Sequence, residues 1–410
     1  MENLARRVAV VGAGYAGMAA AVTLARHGVP VTVFEAGSIP GGRARRVMVR
    51  ERVLDNGQHI LIGAYTALFS VMREVGVPAD SVLRLPLEVT YGKRFALRAL
   101  WLPGVVGLLG GLLMARGIPL HERLSAVRFM RALHKQGFGI SSDITVRELL
   151  QAHDQQGRIG RYLWGPLCVA ALNTPVEQAS ARVFLAVLRD TLGGTADASD
   201  LLLPRVNLSQ LFPEPAAEYV ARKGGEVRLR ATVTSLDALD GFRAKIVAVG
   251  PHQLKRLLPA FPLEYAYQPI YTCYLQYAKG VRLPFPMLGM ADGVVQWVFD
   301  RGALLGEKGR LACVISAQGA HQQMTQDELA ATCHRELAQA LPRLPLPEWT
   351  RVIAEKRATI ACTPDLTRPP LEFGSAFLAG DYTDPEYPPT LEAAVRSGIR
   401  AAERVLAAAV

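Results

Sequence analysis

An α/β fold in two domains is predicted for this chain of 410 residues, on three observations. A strand, a glycine turn, a helix, a second strand and an acid follow one another between Arg7 and Glu35. A strand ending in Gly380-Asp381 precedes an alanine-rich helix near the C-terminus. Between these lie two long stretches, the first mostly helical, the second alternating strand-like runs with a helix. Together they describe a Rossmann-type dinucleotide-binding domain joined to an α+β domain.

Arg7-Val8-Ala9-Val10-Val11 is nearly all apolar, as a central parallel strand buried on both faces requires. Gly12-Ala13-Gly14-Tyr15-Ala16-Gly17 is a GxGxxG, and Met18 to Arg26 then favours helix until Gly28 stops it. Gly12 permits the tight turn, Gly14 lets backbone approach a pyrophosphate, and Gly17 lets the helix pack against the strand. Tyr15 and Ala16 open the helix whose free N–H groups face the phosphates. Val31 to Phe34 forms the second strand, ending at Glu35 and Ala36, where an acid accepts both ribose hydroxyls and disfavours a 2′-phosphate. A GxGxxG alone is weak; this order of elements makes it specific.

The net charge is +10, with half the residues hydrophobic and a fifth charged. Nucleic acid or an anionic membrane surface would suit that excess. No helix-turn-helix, zinc-finger or RNP pattern occurs, so nucleic acid is not expected. The five cysteines, Cys168, Cys273, Cys313, Cys333 and Cys362, include no CxxC pair. They suggest reduced, buried thiols in a cytosolic protein, with neither a disulfide framework nor a metal site. No signal peptide is expected, because the N-terminus runs straight into a strand.

Behind the second strand, Gly41-Gly42-Arg43 resembles the GG motif of the amine oxidase and carotenoid desaturase superfamily of flavoproteins. There Gly42 leaves room for the cofactor and Arg43 brings charge near its diphosphate. Ser375 to Asp381, followed by Pro389-Thr390-Leu391-Glu392-Ala393-Ala394 and on to Gly398, is similar to the superfamily's C-terminal flavin motif. The resemblance implies that Gly380 and Asp381 face the ribityl chain and diphosphate, and that the helix opened by Thr390, Leu391 and Ala394 faces the flavin O2. Glu226 to Val233 reads as a strand, with Val233 matching the residue that meets adenine, and Lys245 to Pro251 resembles a later strand-to-glycine turn. The implied cofactor is FAD. Its domain is expected over roughly 1–85, 215–255 and 350–410, with the substrate domain over 86–214 and 256–349. Within the latter, strands are expected at Tyr271–Ala278, Val294–Phe299 and Leu311–Ala317 and a helix near Gln326–Leu341.

Three strings are more specific: Leu54-Asp55-Asn56-Gly57-Gln58-His59-Ile60-Leu61-Ile62-Gly63-Ala64-Tyr65, the run from Trp164 to Leu172-Asn173-Thr174-Pro175, and Ser199 to Val206 followed by Leu211-Phe212-Pro213. They resemble the bacterial hydroxysqualene dehydroxylases of hopanoid synthesis, over almost the whole chain. Val47 departs from the wider superfamily, which often carries Ser or Thr nearby. The resemblance implies that reduced flavin delivers hydride to an allylic cation left when hydroxysqualene loses water. It also puts Gly57, Gln58 and His59 beside the isoalloxazine ring. His59 is the first candidate acid for the leaving hydroxyl, with Asp55 to orient it or hold it charged; alternatively His59 only hydrogen-bonds the flavin. Asp190 and Asp200 are further acid candidates. A carotenoid desaturase- or isomerase-like enzyme, an amine oxidase-like enzyme and a flavin carrier without turnover remain open. The single dinucleotide fingerprint points to an external electron donor.

Ala99 to Ala115 carries no charge between Arg98 and Arg116, but Pro103, Gly104, Gly107, Gly110 and Gly111 weaken it as a spanning helix. Leu120, Leu124, Val127, Met130 and Leu133 recur at helical spacing among Arg123, Arg128, Arg131, His134 and Lys135. This region reads either as a monotopic contact with the inner face of the cell membrane, suited to a long triterpenoid substrate, or as a hairpin and helix packed into the core.

Overall fold

The computed structural model describes residues 6–408 apart from 93, 101, 103, 104, 193, 194 and 196. Its first sheet runs Glu226–Arg228, Val31–Phe34, Val8–Val11, Ala244–Val247, Ala376–Leu378 and Glu372–Phe373. The first five strands are parallel and the last is antiparallel. Val8 and Val10 join the core on one face, while Ala9 and Val11 join the core on the other. An all-apolar strand is what such a position demands. The first face is covered by helices Tyr15–Arg26, Pro213–Arg222 and Leu391–Ala407. The last crosses the first so closely that a Cβ on Gly398 would lie 2.0 Å from the Ala16 carbonyl oxygen.

The second sheet is antiparallel, in the order Met287–Gly289, Trp297–Asp300, Arg310–Ser316, Tyr267–Gln276 and Trp349–Ile360. Helix Gln326–Ala340 packs against it, started by a capping box between Thr325 and Glu328. The expected elements of this region are present, but two boundaries move. Trp349–Ile360 pairs along Tyr267–Gln276, so the stretch from 350 to 360 belongs to the substrate sheet rather than the cofactor domain. Leu202, Leu208, Leu211 and Phe212 pack into the cofactor core, so that half begins before 215. The strand expected over Glu226–Val233 ends at Arg228, because Arg230 adopts a left-handed turn (φ 56°). Ala231 N still reaches back to the Glu35 carbonyl, at 2.8 Å.

The 86–214 insertion, expected to be mostly helical, carries helices Val105–Met114, Leu120–Lys135, Val146–Ala152, Gly165–Leu172 and Ala181–Leu192 and adds a hairpin, Glu88–Tyr91 with Phe95–Arg98. The region from Val106 to Leu124 is two-sided. Leu108, Leu112, Ala115 and Ile118 are buried, whereas Val106 (58% exposed), Leu113, Met114 (68%), Leu120 (63%) and Leu124 face outward. In helix Leu120–Lys135 the buried face is Ala126, Phe129, Met130 and Leu133, so the stripe predicted from Leu120 and Leu124 sinks only at its C-terminal end. Pro103 and Gly104 lie outside the described residues. Among those described, no helix is long and apolar enough to cross a membrane.

Candidate active site

A cavity of about 560 Å³ opens at the C-terminal ends of strands Val8–Val11 and Val31–Phe34, the edge where doubly wound sheets bind ligands. Gly12, Gly14, Tyr15, Ala16, Glu35, Ala36 and Val233 line one part of it. Gly42, Arg43, Gly380 and Asp381 line a second, and Gly57, Gln58, His59, Thr390, Leu391 and Ala394 a third. Gly17 stays outside; its Cβ would meet the Gly12 carbonyl oxygen at 1.9 Å, so it serves the helix-on-turn contact.

The chemistry of the wall suits a dinucleotide. A Cβ on Gly14 would meet only the Gly42 Cα, at 3.8 Å, so this backbone presents an open cradle to the cavity. Helix Tyr15–Arg26 begins at the cradle with no side-chain cap on its first turn, so its positive end is open to the cavity. The Glu35 carboxylate accepts from Ala13 N at 2.8 Å and Gly37 N at 2.7 Å. That fixes its orientation and leaves lone pairs for two ribose hydroxyls. Arg43 donates to Asp381 and to the Ala358 carbonyl, both at 2.6 Å. Burial is the largest influence and opposes its charge, but Asp381, Glu355 and Tyr267 together outweigh it and raise its pKa. Thr390 caps helix Leu391–Ala407, accepting from Ala393 N at 3.2 Å, and turns a second positive helix end toward the cavity.

The Asp55–His59 string forms the wall between the two sheets, and here two expectations are corrected. Asp55 does not orient His59. Its Oδ1 accepts from Leu208 N at 2.9 Å and its Oδ2 from Arg301 at 3.0 Å. A cavity of about 10 Å³, one water in size, is shared by His59, Gln58, Asp55 and Arg301. His59 is not a cationic acid at neutral pH: burial first, then the Arg43 charge, push its pKa down to about 4. Asp190 and Asp200 fall outside the cavity. Asp190 takes Arg189 at 2.8 Å and the Tyr387 hydroxyl, and Asp200 takes Arg84 at 3.0 Å.

Several cavity residues escaped sequence reasoning. Tyr65 closes the string that begins at Leu54, and burial raises its pKa. Asn173, in a left-handed cap (φ 48°), donates to Thr359 at 3.0 Å and accepts from Ala317 N at 2.7 Å. It joins three segments at the cavity floor, which gives the Leu172-Asn173-Thr174-Pro175 string its physical meaning. Glu355 accepts from Asn56 at 3.0 Å and lines the same cavity. Nothing around Glu355 in the sequence marks it, because its partner lies nearly three hundred positions away. Ile270, Trp297, Phe299 and Val314 of the second sheet supply an apolar wall.

The profile of the flavin containing amine oxidoreductase family matches residues 15–406. A hydroxysqualene dehydroxylase of Rhodopseudomonas palustris (strain ATCC BAA-98 / CGA009) is 30% identical, covering 99% of both chains. The chain belongs to the hydroxysqualene dehydroxylase family, within the flavin containing amine oxidoreductases. This flavin oxidoreductase is also 28% identical to the hydroxysqualene dehydroxylase of Sinorhizobium fredii (strain NBRC 101917 / NGR234), over 98% of each chain. It is 24% identical to a probable zeta-carotene desaturase of Synechococcus elongatus (strain ATCC 33912 / PCC 7942 / FACHB-805), over 98% of this chain and 99% of that one. Among solved structures, a putrescine oxidase bound to putrescine shares the fold at TM-score 0.69 and 18% identity, covering 98% and 99% of the two chains. An oxidoreductase from Methanosarcina mazei shares it at TM-score 0.73 and 14% identity, over 97% of this chain and 100% of the other.

Proposed function

We propose that the chain binds FAD and reduces hydroxysqualene to squalene, with loss of water. The observation that carries this reading is full-length similarity to proteins of that name, joined to a cavity that runs from a ribose-binding acid to an apolar wall. Bound in reduced form, FAD supplies the hydride that replaces the hydroxyl. Gly12, Gly14 and Gly42 admit the diphosphate, Glu35 holds the adenosine ribose, Val233 meets adenine, and Arg43, Gly380 and Asp381 hold the ribityl-diphosphate stretch. Thr390, Leu391 and Ala394 receive the flavin pyrimidine at a helix N-terminus, which favours the anionic reduced ring. Gly57, Gln58 and neutral His59 pack against the ring. Ile270, Trp297, Phe299 and Val314 exclude water around the allylic carbon. Burial and Arg43 hold His59 neutral and make it a poor donor; Glu355, a carboxyl lining the same cavity, is the better candidate to deliver the proton to the leaving oxygen.

A substrate of about thirty carbons gains roughly 0.8 kcal/mol per buried CH2 and partitions into lipid. The outward row of Val106, Leu113, Met114, Leu120 and Leu124, near the exposed Arg128 and Arg131, suits peripheral contact with an anionic membrane on the cytoplasmic side. An external donor then reduces the flavin. Similarity to a zeta-carotene desaturase favours the second reading, in which hydride passes from a polyene to oxidised flavin. Anaerobic mixing separates the two. Dithionite-reduced protein should reoxidise with hydroxysqualene and yield squalene one for one. Reduction of oxidised flavin by a carotene, with no reaction of hydroxysqualene, would give the second reading instead.

A further inference from the structure

The geometry points to Arg301 and Tyr274 as positioning residues that fix the flavin-facing wall through Gln58. The inference rests on the reading that the flavin ring lies beside Gly57–His59. Arg301 is 1% exposed, yet it carries a full charge. Its Nε and one terminal nitrogen grip Glu307 at 2.7 and 2.9 Å; the other terminal nitrogen donates to Asp55 at 3.0 Å and to Gln58 Oε1 at 3.2 Å. Its guanidinium lies 5.5 Å above the Tyr274 ring.

Arginine has no acceptor, so Gln58 must turn its carbonyl oxygen to Arg301. The Gln58 amide nitrogen is then committed to donate, to the Tyr274 hydroxyl at 2.9 Å and the Gly57 carbonyl at 3.0 Å. Having accepted there, Tyr274 gives its own proton to the Asp55 carbonyl at 2.8 Å. The donor-only Arg301 thus sets the orientation of the Gln58 amide, and the Asp55 backbone, which also donates its N–H to the Tyr274 oxygen at 3.2 Å, sets that of the Tyr274 hydroxyl. The Asp55 carboxylate continues to Leu208 N, and the Leu208 carbonyl accepts from the hydroxyl of cavity-lining Tyr15 at 2.9 Å. A buried ion cluster of this kind adds little net stability, because desolvation offsets attraction. What it does here is geometric. It locks the loop at Asp55–His59 to the sheet that carries Trp297 and Phe299, and so fixes the gap between the flavin wall and the substrate wall.

The test uses FAD-loaded protein and the visible circular dichroism of its flavin, beside the rate of flavin reoxidation by hydroxysqualene. Tyr274→Phe should retain full loading and thermal stability close to wild type, alter the visible circular dichroism, and slow reoxidation by about 100-fold, as misplacement near 1 Å does, without raising KM. In a Gln58→Leu background the same substitution should change neither signal further. Arg301→Lys, which keeps charge but loses the fork, should alter the dichroism in the same direction, and the proposal stands on the Tyr274 and Gln58 cycle if that variant does not fold. Unaltered dichroism in Tyr274→Phe, or additive effects in the double variant, would overturn the assignment. Because the dichroism needs no substrate, inertness of the wild type toward hydroxysqualene would sink the substrate reading and leave this comparison standing.

Discussion

The nucleotide turn at Gly12–Gly17 and the apolar region at Ala99–Lys135 differ in how tightly geometry constrains residue type. At the turn, a Cβ on Gly12 would meet the Ala248 carbonyl oxygen at 2.6 Å and one on Gly17 would overlap the Gly12 carbonyl, so almost one residue type fits. In the apolar region, leucine serves equally in the core and on the outside. Leu112 is fully buried and its neighbour Leu113 is 44% exposed. A strict steric demand is readable from sequence; an apolar preference is not, until the fold assigns the two sides.

The largest expected effect breaks the first half of the comparison. Gly14→Val places a branched side chain into open cavity rather than into packed backbone. The protein should fold normally and be colourless, with no 450 nm absorbance after purification in the presence of FAD. A yellow, stoichiometrically loaded variant would refute the cradle.

Next in size is Glu355→Gln. Removing a general acid typically costs about 10²–10⁴-fold, or roughly 3–5 kcal/mol in the barrier. Flavin reoxidation by hydroxysqualene should slow within that range while FAD stays bound. Turnover within a few-fold of wild type would remove Glu355 from proton delivery.

The two sides of the apolar region are separated by paired substitutions. Leu112→Ala, at a fully buried site, should cost about 2–5 kcal/mol of stability in denaturant unfolding. Ser at Leu113, Met114 and Leu120 together should leave stability nearly unchanged and reduce co-sedimentation with anionic vesicles, with the residual binding weakened further by salt. Equal vesicle binding by the exposed triple variant and the wild type would mean that the outward row meets water only.

A pH-dependent effect concerns His59. Its folded pKa, about 4, lies below the ordinary 6.5, so the unfolded chain binds a proton that the folded one refuses. The stability this contributes is complete above about pH 6.5 and drains away as pH falls toward 4. Without FAD, wild type and His59→Phe should therefore unfold with a stability difference that is constant above pH 7 and shifts in favour of the variant below pH 6. A pH-independent difference would mean that His59 titrates normally.

How much was legible follows the same line. The first and second strands, the glycine turn, the Gly380-Asp381 strand end and the C-terminal helix are local patterns, and the structure brings their residues to one cavity. Asp55 and Asn173 were visible as members of specific strings, but not their partners, which come from Arg301, Thr359 and Ala317. For His59 the sequence shows Arg43 nearby in number but not that burial and the guanidinium act together to lower the imidazole pKa. The edge strand Trp349–Ile360 pairs with Tyr267–Gln276, far away in sequence, and only the proline-rich run from Pro364 to Pro370 marks the passage to the next sheet's strand pair, Glu372–Phe373 and Ala376–Leu378.

The interleaved order of the first sheet also governs when the protein can be finished. Strand Ala376–Leu378 lies beside Ala244–Val247, and the C-terminal helix seats against the helix begun at Tyr15. Synthesis at roughly 5–20 residues per second leaves the N-terminal turn waiting tens of seconds for those neighbours. During that time the apolar faces of helix Tyr15–Arg26 and strand Val8–Val11 lack their last cover. A chain stopped shortly before Thr390 would hold nearly all of its substrate half and still leave the face of helix Tyr15–Arg26 without its C-terminal partner.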